Sequence, residues 1–246
     1  MIAVLALTAL TACGKAETPD DLLAEAERLA DQGEFDKAVP LLREAADQGD
    51  GLALYNLGVY YQEGTGVEQD YEKALSFYRQ AAELEVPDAY VGLGYYYGNG
   101  IGVEQDKDEM IRYYRLAAEQ GNAVGQHNLG YCYSAGEGVV QDDAEALRYY
   151  LLSAEQGFAS GEFDAGYMYY TGKGTDPDYD EAIRLYRLAA DQGLPVAMFA
   201  VGDCYYEGKG AEKDLEKAAE WYQKSLDAGY EPDETDQEHL KAVQGK

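Results

Sequence analysis

One glycine recurs at a fixed step through most of this chain: Gly58, Gly94, Gly130, Gly166 and Gly202 each lie 36 residues after the last. The same step carries the loop pairs Gly64/Gly66, Gly100/Gly102, Gly136/Gly138, Gly172/Gly174 and Gly208/Gly210. It also carries Asp70, Asp106, Asp142, Asp178 and Asp214, and then Tyr78, Tyr114, Tyr150, Tyr186 and Tyr222. Self-similarity at a period of roughly 20–50 residues restricts a chain to arrays in which each unit buries its apolar face against its neighbours.

Each period reads as helix, loop, helix. Ala53, Leu57, Gly58 and Tyr61 fall on one face of a helix A. Gly64 and Gly66 are placed to take the positive φ that ends it. Asp70 is placed to cap a helix B whose stripe is Ala74, Phe77, Tyr78, Ala81 and Ala82. Asp106 and Asp142 have Glu109 and Glu145 three residues on, the pattern of a capping box. A glycine inside helix A costs ~1 kcal/mol against alanine, so Gly58 and its equivalents imply a neighbouring helix that needs the room.

Five such repeats span residues 50–229. Before them, residues 21–49 read as two helices about Gly33, with Leu22, Ala26, Leu29 and Ala30 on one face. After them, residues 230–246 form a polar segment anchored by Leu240 and Val243, placed to solvate the end of the array. The first twelve residues, MIAVLALTALTA, are an uncharged apolar run, too short to span a bilayer but suited to a signal peptide. Leu10-Thr11-Ala12-Cys13 resembles the lipobox of bacterial lipoproteins. That resemblance implies cleavage before Cys13 and lipid on its thiol; Gly14 next to it implies outer-membrane sorting, with residues 13–20 as a short linker.

The pattern of Ala, Leu-Gly, Tyr, Gly-x-Gly, Asp, Ala, Tyr and Ala resembles the Sel-one-like repeat family, relatives of the tetratricopeptide repeats. Residues 21–49, through Ala26, Leu29, Gly33, Phe35 and Ala38, resemble a tetratricopeptide repeat and are expected to cap the N-terminal end. The resemblance implies an all-α fold, an α/α solenoid of five 36-residue repeats, serving as a non-catalytic protein-interaction scaffold. Departures are local: Met110 stands where Ala is usual, Glu85 replaces the closing Gly, Thr175 and Ala211 replace the loop Val, and Leu226 replaces the last Ala. Some members carry a disulfide in each repeat and are linked to β-lactam binding; this chain lacks those Cys pairs.

In the related tetratricopeptide solenoids helix A lines the inner surface at positions three before and one and four after the small central residue. Transferred to this sequence, the implied partner-binding residues are Tyr55, Tyr95, His127, Tyr131, Phe163, Tyr167, Tyr170, Phe199, Asp203 and Tyr206, with Val59, Gln62, Val91, Gly98 and Ser134 between them. This set is largely aromatic and holds no Lys or Arg, which favours a basic or neutral partner segment over an acidic one. The same rings also suit a glycan or envelope polymer.

Charge supports that preference. With 19 Lys and Arg against 47 Asp and Glu, the formal net charge is −28, which excludes a nucleic-acid partner that would need cations against its phosphates. Catalytic signals are sparse. His127 and His239 are the two histidines, no nucleophile elbow or phosphate loop occurs, and neither a metal nor a cofactor is implied. A hydrolase built on His127 is the remote alternative. Asp176, Asp178 and Asp180 alternate but lack the Gly and closing Glu of a calcium loop, so they read as a capping loop. Cys132 and Cys204 occupy equivalent positions two repeats apart, beyond disulfide reach, and read as buried thiols.

Overall fold

The structure, a computed structural model, describes residues 18–243. The expected signal peptide, lipobox and lipid-bearing Cys13 lie outside the described residues. Among the described residues there are thirteen helices and no strand. A first pair, α1 (Pro19–Asp31) and α2 (Phe35–Asp47), is followed by α3 (Gly51–Glu63) and α4 (Tyr71–Glu83). Then come α5 (Pro87–Asn99) and α6 (Lys107–Glu119), α7 (Ala123–Ala135) and α8 (Asp143–Ala154), and α9 (Ala159–Thr171) and α10 (Tyr179–Asp191). The last pair is α11 (Pro195–Glu207) and α12 (Leu215–Asp227), followed by α13 (Glu234–Val243). The architecture is an α/α solenoid of helix-loop-helix repeats. It divides into two compact units, Met1–Leu84 and Glu85–Lys246.

The expected glycine stops and aspartate caps are all present. Gly64, Gly100, Gly136, Gly172 and Gly208 end the A helices in the left-handed region, at φ of 68 to 78°. Asp70, Asp106, Asp142, Asp178 and Asp214 cap the B helices, each side chain accepting from backbone N–H groups of the first turn. Those bonds hold the Asp70 and Asp214 carboxyls below the usual range. The capping boxes do not form: Glu109 and Glu145 turn instead to Arg112 and Arg148, at 2.7 and 2.8 Å. An arginine in the next turn is a stronger donor than a capped backbone amide.

The central glycines make room for the B-helix tyrosines of their own repeats. A Cβ on Gly58 would sit 2.6 Å from the Tyr78 ring, and one on Gly130 would sit 2.9 Å from Tyr150. Tyr78, Tyr114, Tyr150, Tyr186 and Tyr222 are all buried, and with Leu57, Leu93 and Leu129 they supply much of the core. The second loop glycines serve contacts between repeats: Gly138 packs against Lys107 and Ile111, the start of the preceding B helix. Glu85 stands where the other repeats close on glycine, and it takes φ of 59° despite its side chain, a conformation that disfavours non-glycine residues.

Residues 231–243 occupy the next step of the period. Stepping 36 residues from α11 predicts a helix A at 231–243, and α13 lies in that slot, against α12 and α11. Its core positions are polar, Asp233 and Gln237 standing where Ala197 and Val201 pack in α11, so none of its residues is buried. Tyr230, Leu240 and Val243 pack only partly against the Phe199, Ala218 and Tyr222 cluster.

Candidate partner-binding surface

The ten residues implied for binding separate into three groups. Tyr95, Tyr131 and Tyr167, one position after the central glycine in three successive repeats of the second unit, are 49%, 54% and 42% exposed. Among the described residues, no ring or cation is stacked on Tyr131, and Tyr95 meets the edge of Tyr96 at 6.3 Å. These three are the members of the set that project from the surface as large exposed rings.

A second group is held in ring packing. Tyr55, in the first unit, lies 5.8 Å from Tyr78, and in the second unit His127 and Phe163 lie 5.5 and 5.6 Å from Tyr150 and Tyr186. Phe158, the N-cap residue of the following repeat, covers the other side of His127 at 5.4 Å. Nε2 of His127 is 2.7 Å from Asp164, which ties the ring into the wall. Tyr170 sits edge-on to Tyr179 at 5.5 Å, and Lys209 Nζ lies 4.8 Å over its ring.

The third group corrects the expectation. Phe199 is only 2% exposed, stacked on Tyr222 at 4.4 Å and covered by Tyr230 at 5.0 Å. It is therefore part of the buried packing and not an open surface ring. Asp203 accepts from the Tyr222 hydroxyl at 2.8 Å and bonds His239 of α13 at 2.8 Å, and the His239 ring lies 4.5 Å from Tyr206. Burial pushes the Asp203 carboxyl upward, against the opposing hydrogen bonds. Both Asp203 and Tyr206 are thus engaged by the terminal helix.

The set itself holds no cation, yet loop lysines reach it. Lys173 and Lys213 stand 5.3 and 5.4 Å over the Tyr167 and Tyr206 rings. Composition at the lining positions could not reveal side chains that arrive from loops.

Two hollows flank the exposed row. One, of about 170 Å³, is walled by Phe163, Tyr167, Tyr170, Tyr186, Val196, Phe199, Ala200, Asp203, Tyr230 and Asp236. The other, of about 240 Å³, is lined by Gly98, Met110, Asn99, Asn128, Tyr131 and Glu137, with the Met110 sulfur filling the room that Gly98 leaves. Val196, Ala200, Tyr230, Asp236 and His239 were not among the expected site residues. The period itself was the available signal: Tyr230 and His239 lie one step after Leu194 and Asp203.

Reactive chemistry is scarce around this surface. Cys132 and Cys204 are free and buried, and desolvation pushes both thiols up to about 12. Among the described residues no group of three or more His, Cys, Asp or Glu is placed to hold a metal ion, and no helix is long and apolar enough to cross a membrane.

Comparison with known proteins settles the family. The Sel1 repeat profile matches residues 30–50, 51–86, 87–122, 123–158, 159–194 and 195–230. The chain belongs to the Sel1 repeat family. The first of the six matches, residues 30–50, overlaps the segment expected to be a tetratricopeptide-like cap. Among solved structures, the chain is similar to a protective antigen present in uropathogenic Escherichia coli strains, at 33% identity and a TM-score of 0.80 over 93% of this chain. The match covers 50% of that protein, so this chain spans about half its length. A Sel1 repeat protein from Oxalobacter formigenes matches at 32% identity and a TM-score of 0.80, over 86% of this chain and 89% of that one. An immunity protein from Pseudomonas aeruginosa shares the fold alone, at 24% identity and a TM-score of 0.55, over 85% of this chain and 81% of its own. A search of the curated proteins returned no match. Sel1 repeat proteins are generally non-catalytic protein-interaction scaffolds.

Proposed function

We propose that this Sel1 repeat protein is a scaffold of the bacterial cell envelope, holding an extended basic or neutral segment of a partner protein along the tyrosine row of α5, α7 and α9. The observation that carries the reading is the recurrence of Tyr95, Tyr131 and Tyr167 as exposed rings at one step per repeat. Repeated amphipathic rings on rigid helices offer contact area at little entropic cost, and contiguous exposed aromatics mark interaction sites. The excess of carboxylates steers a basic partner toward the row and repels nucleic acid. A lipid on Cys13, in the lipobox-like Leu10–Cys13 stretch, fixes the scaffold to the membrane, with the repeats facing the periplasm.

Replacing Tyr131 and Tyr167 together with Ala is expected to lower the recovery of crosslinked partner several-fold while helical content stays intact. Unchanged recovery removes the row from the reading. Cys13→Ser is expected to release the protein from membranes, and retention there removes the lipid anchor. The hollow beside Tyr131, flanked by the Asn99 and Asn128 amides, also favours a second reading, a glycan stacked on the ring. Binding that is insensitive to salt selects that reading over a charged peptide.

A further inference from the structure

The 170 Å³ pocket at the C-terminal end of the tyrosine row is walled by aromatic rings and two carboxylates, Asp203 and Asp236, and no Lys or Arg contributes to its wall. On the same measure one water needs roughly 10–15 Å³, so the space admits a planar polar group with its stem. Asp236 Oδ2 accepts from the Tyr230 hydroxyl at 2.7 Å and from the Asp233 backbone at 3.1 Å, while Asp203 Oδ1 accepts from Tyr222 and His239. In each carboxylate the bonds converge on one oxygen. The loop lysines Lys173 and Lys209 approach the Tyr167 and Tyr170 rings at 5.3 and 4.8 Å without joining the wall.

Elsewhere in the chain a ring beside a carboxylate takes a cation, a lysine at Lys73, Lys209 and Lys217 and a guanidinium at two further places. The Arg112 guanidinium lies 4.1 Å from the Tyr113 ring and bonds Glu109 at 2.7 Å. Arg148 lies 3.9 Å from the Tyr149 ring and bonds Glu145 at 2.8 Å. Both arrangements join a ring face, a carboxylate and a guanidinium. The pocket supplies the rings and carboxylates, and its wall lacks the guanidinium. A guanidinium fits better than an ammonium because it stacks flat and donates in a fork.

Resting on the scaffold reading above, we infer that this pocket receives an arginine side chain of the partner segment, which anchors that segment at the end of the tyrosine row. Tyr230 and Asp236 make the terminal segment part of the receptor.

The test uses acetylated, amidated pentapeptides, Ala-Ala-Xaa-Ala-Ala, with arginine, lysine or uncharged citrulline at the centre, titrated into the full chain by calorimetry at low salt. The arginine peptide is expected to bind at least ~10-fold more tightly than the citrulline peptide and ~3-fold more tightly than the lysine peptide. Ala200→Leu, which places a larger side chain in the pocket wall, should erase the arginine preference, with circular dichroism confirming retained helix. Tyr131→Ala, outside the pocket, should weaken the arginine and citrulline peptides equally and leave their ratio unchanged. Equal affinity for arginine and citrulline, absence of binding by the arginine peptide, or a preference that survives Ala200→Leu overturns the pocket assignment. An arginine preference lost in Ala200→Leu but with no effect of Tyr131→Ala sustains the pocket and counts against the row.

Discussion

Two rows of tyrosine run through the second unit at the same 36-residue step, and they meet opposite fates. Tyr114, Tyr150, Tyr186 and Tyr222 on the B helices are buried against the central glycines. Tyr95, Tyr131 and Tyr167 on the A helices are the most exposed large rings of their repeats. Residue type and periodicity are the same in both rows, so neither property distinguishes a core ring from an exposed ring. What separates them is the residue across the way: a glycine admits the first row into the core, while the second row stays 42–54% exposed.

The largest expected effect breaks the rows apart on stability. Tyr150→Ala should cost about 3–5 kcal/mol, as removal of a buried aromatic does. Tyr131→Ala should stay within about 0.5 kcal/mol, as an exposed substitution does. Urea denaturation of both variants makes the measurement, and equal losses would erase the distinction. Next, a methyl at the central glycine should disturb the buried row. Gly94→Ala and Gly130→Ala are each expected to cost about 1–3 kcal/mol by overpacking, less the ~1 kcal/mol that alanine returns in helix propensity. The loss should be greater at Gly94, where the Tyr114 ring lies closer than Tyr150 does to Gly130.

A smaller effect compares another repeated pair. Gln156 donates to buried Gln126 at 2.7 Å, and one repeat later Gln192 donates to buried Glu162 at 2.8 Å. Burial raises the Glu162 carboxyl above its ordinary value, so its ionised form destabilises the fold above that raised value. The penalty is relieved as pH falls through it, because the folded state then binds the proton more readily than the unfolded chain. Glu162→Gln copies the preceding repeat and should stabilise at neutral pH by about 0.5–1 kcal/mol, the scale of one hydrogen bond. Its advantage should shrink on acidification; an advantage that grows instead would contradict the burial argument. The smallest effect concerns the rings covered by arginine. Arg112→Ala should cost about 0.5 kcal/mol, and a double-mutant cycle with Tyr113 should assign that to the stacked pair.

The repeat was legible because its signals are local. Gly64 ends a helix and Asp70 begins the next through bonds made within one turn, so spacing alone places them. Of the lining positions, only the +1 row of the second unit carries rings that stay widely exposed. At the −3 position His127 and Phe199 looked equivalent to the exposed rings, yet Phe158 and Tyr230 from the next repeat cover them. Covering residues that arrive from 31 positions later leave no mark on the helix being read. In the tail, polar residues at the core positions masked the period that brings Asp236 and His239 to the surface of α11.

By itself the sequence determined the all-α class, the helix boundaries, the caps and the family of this protein, because those follow from short-range geometry repeated at a constant step. Tertiary structure alone decided which tyrosines stay exposed, which carboxylates face a pocket, and that a terminal helix without buried residues completes the pocket wall. Those outcomes depend on contacts between repeats, where the same side chain is core or surface according to whether its neighbour one step on is large enough to cover it.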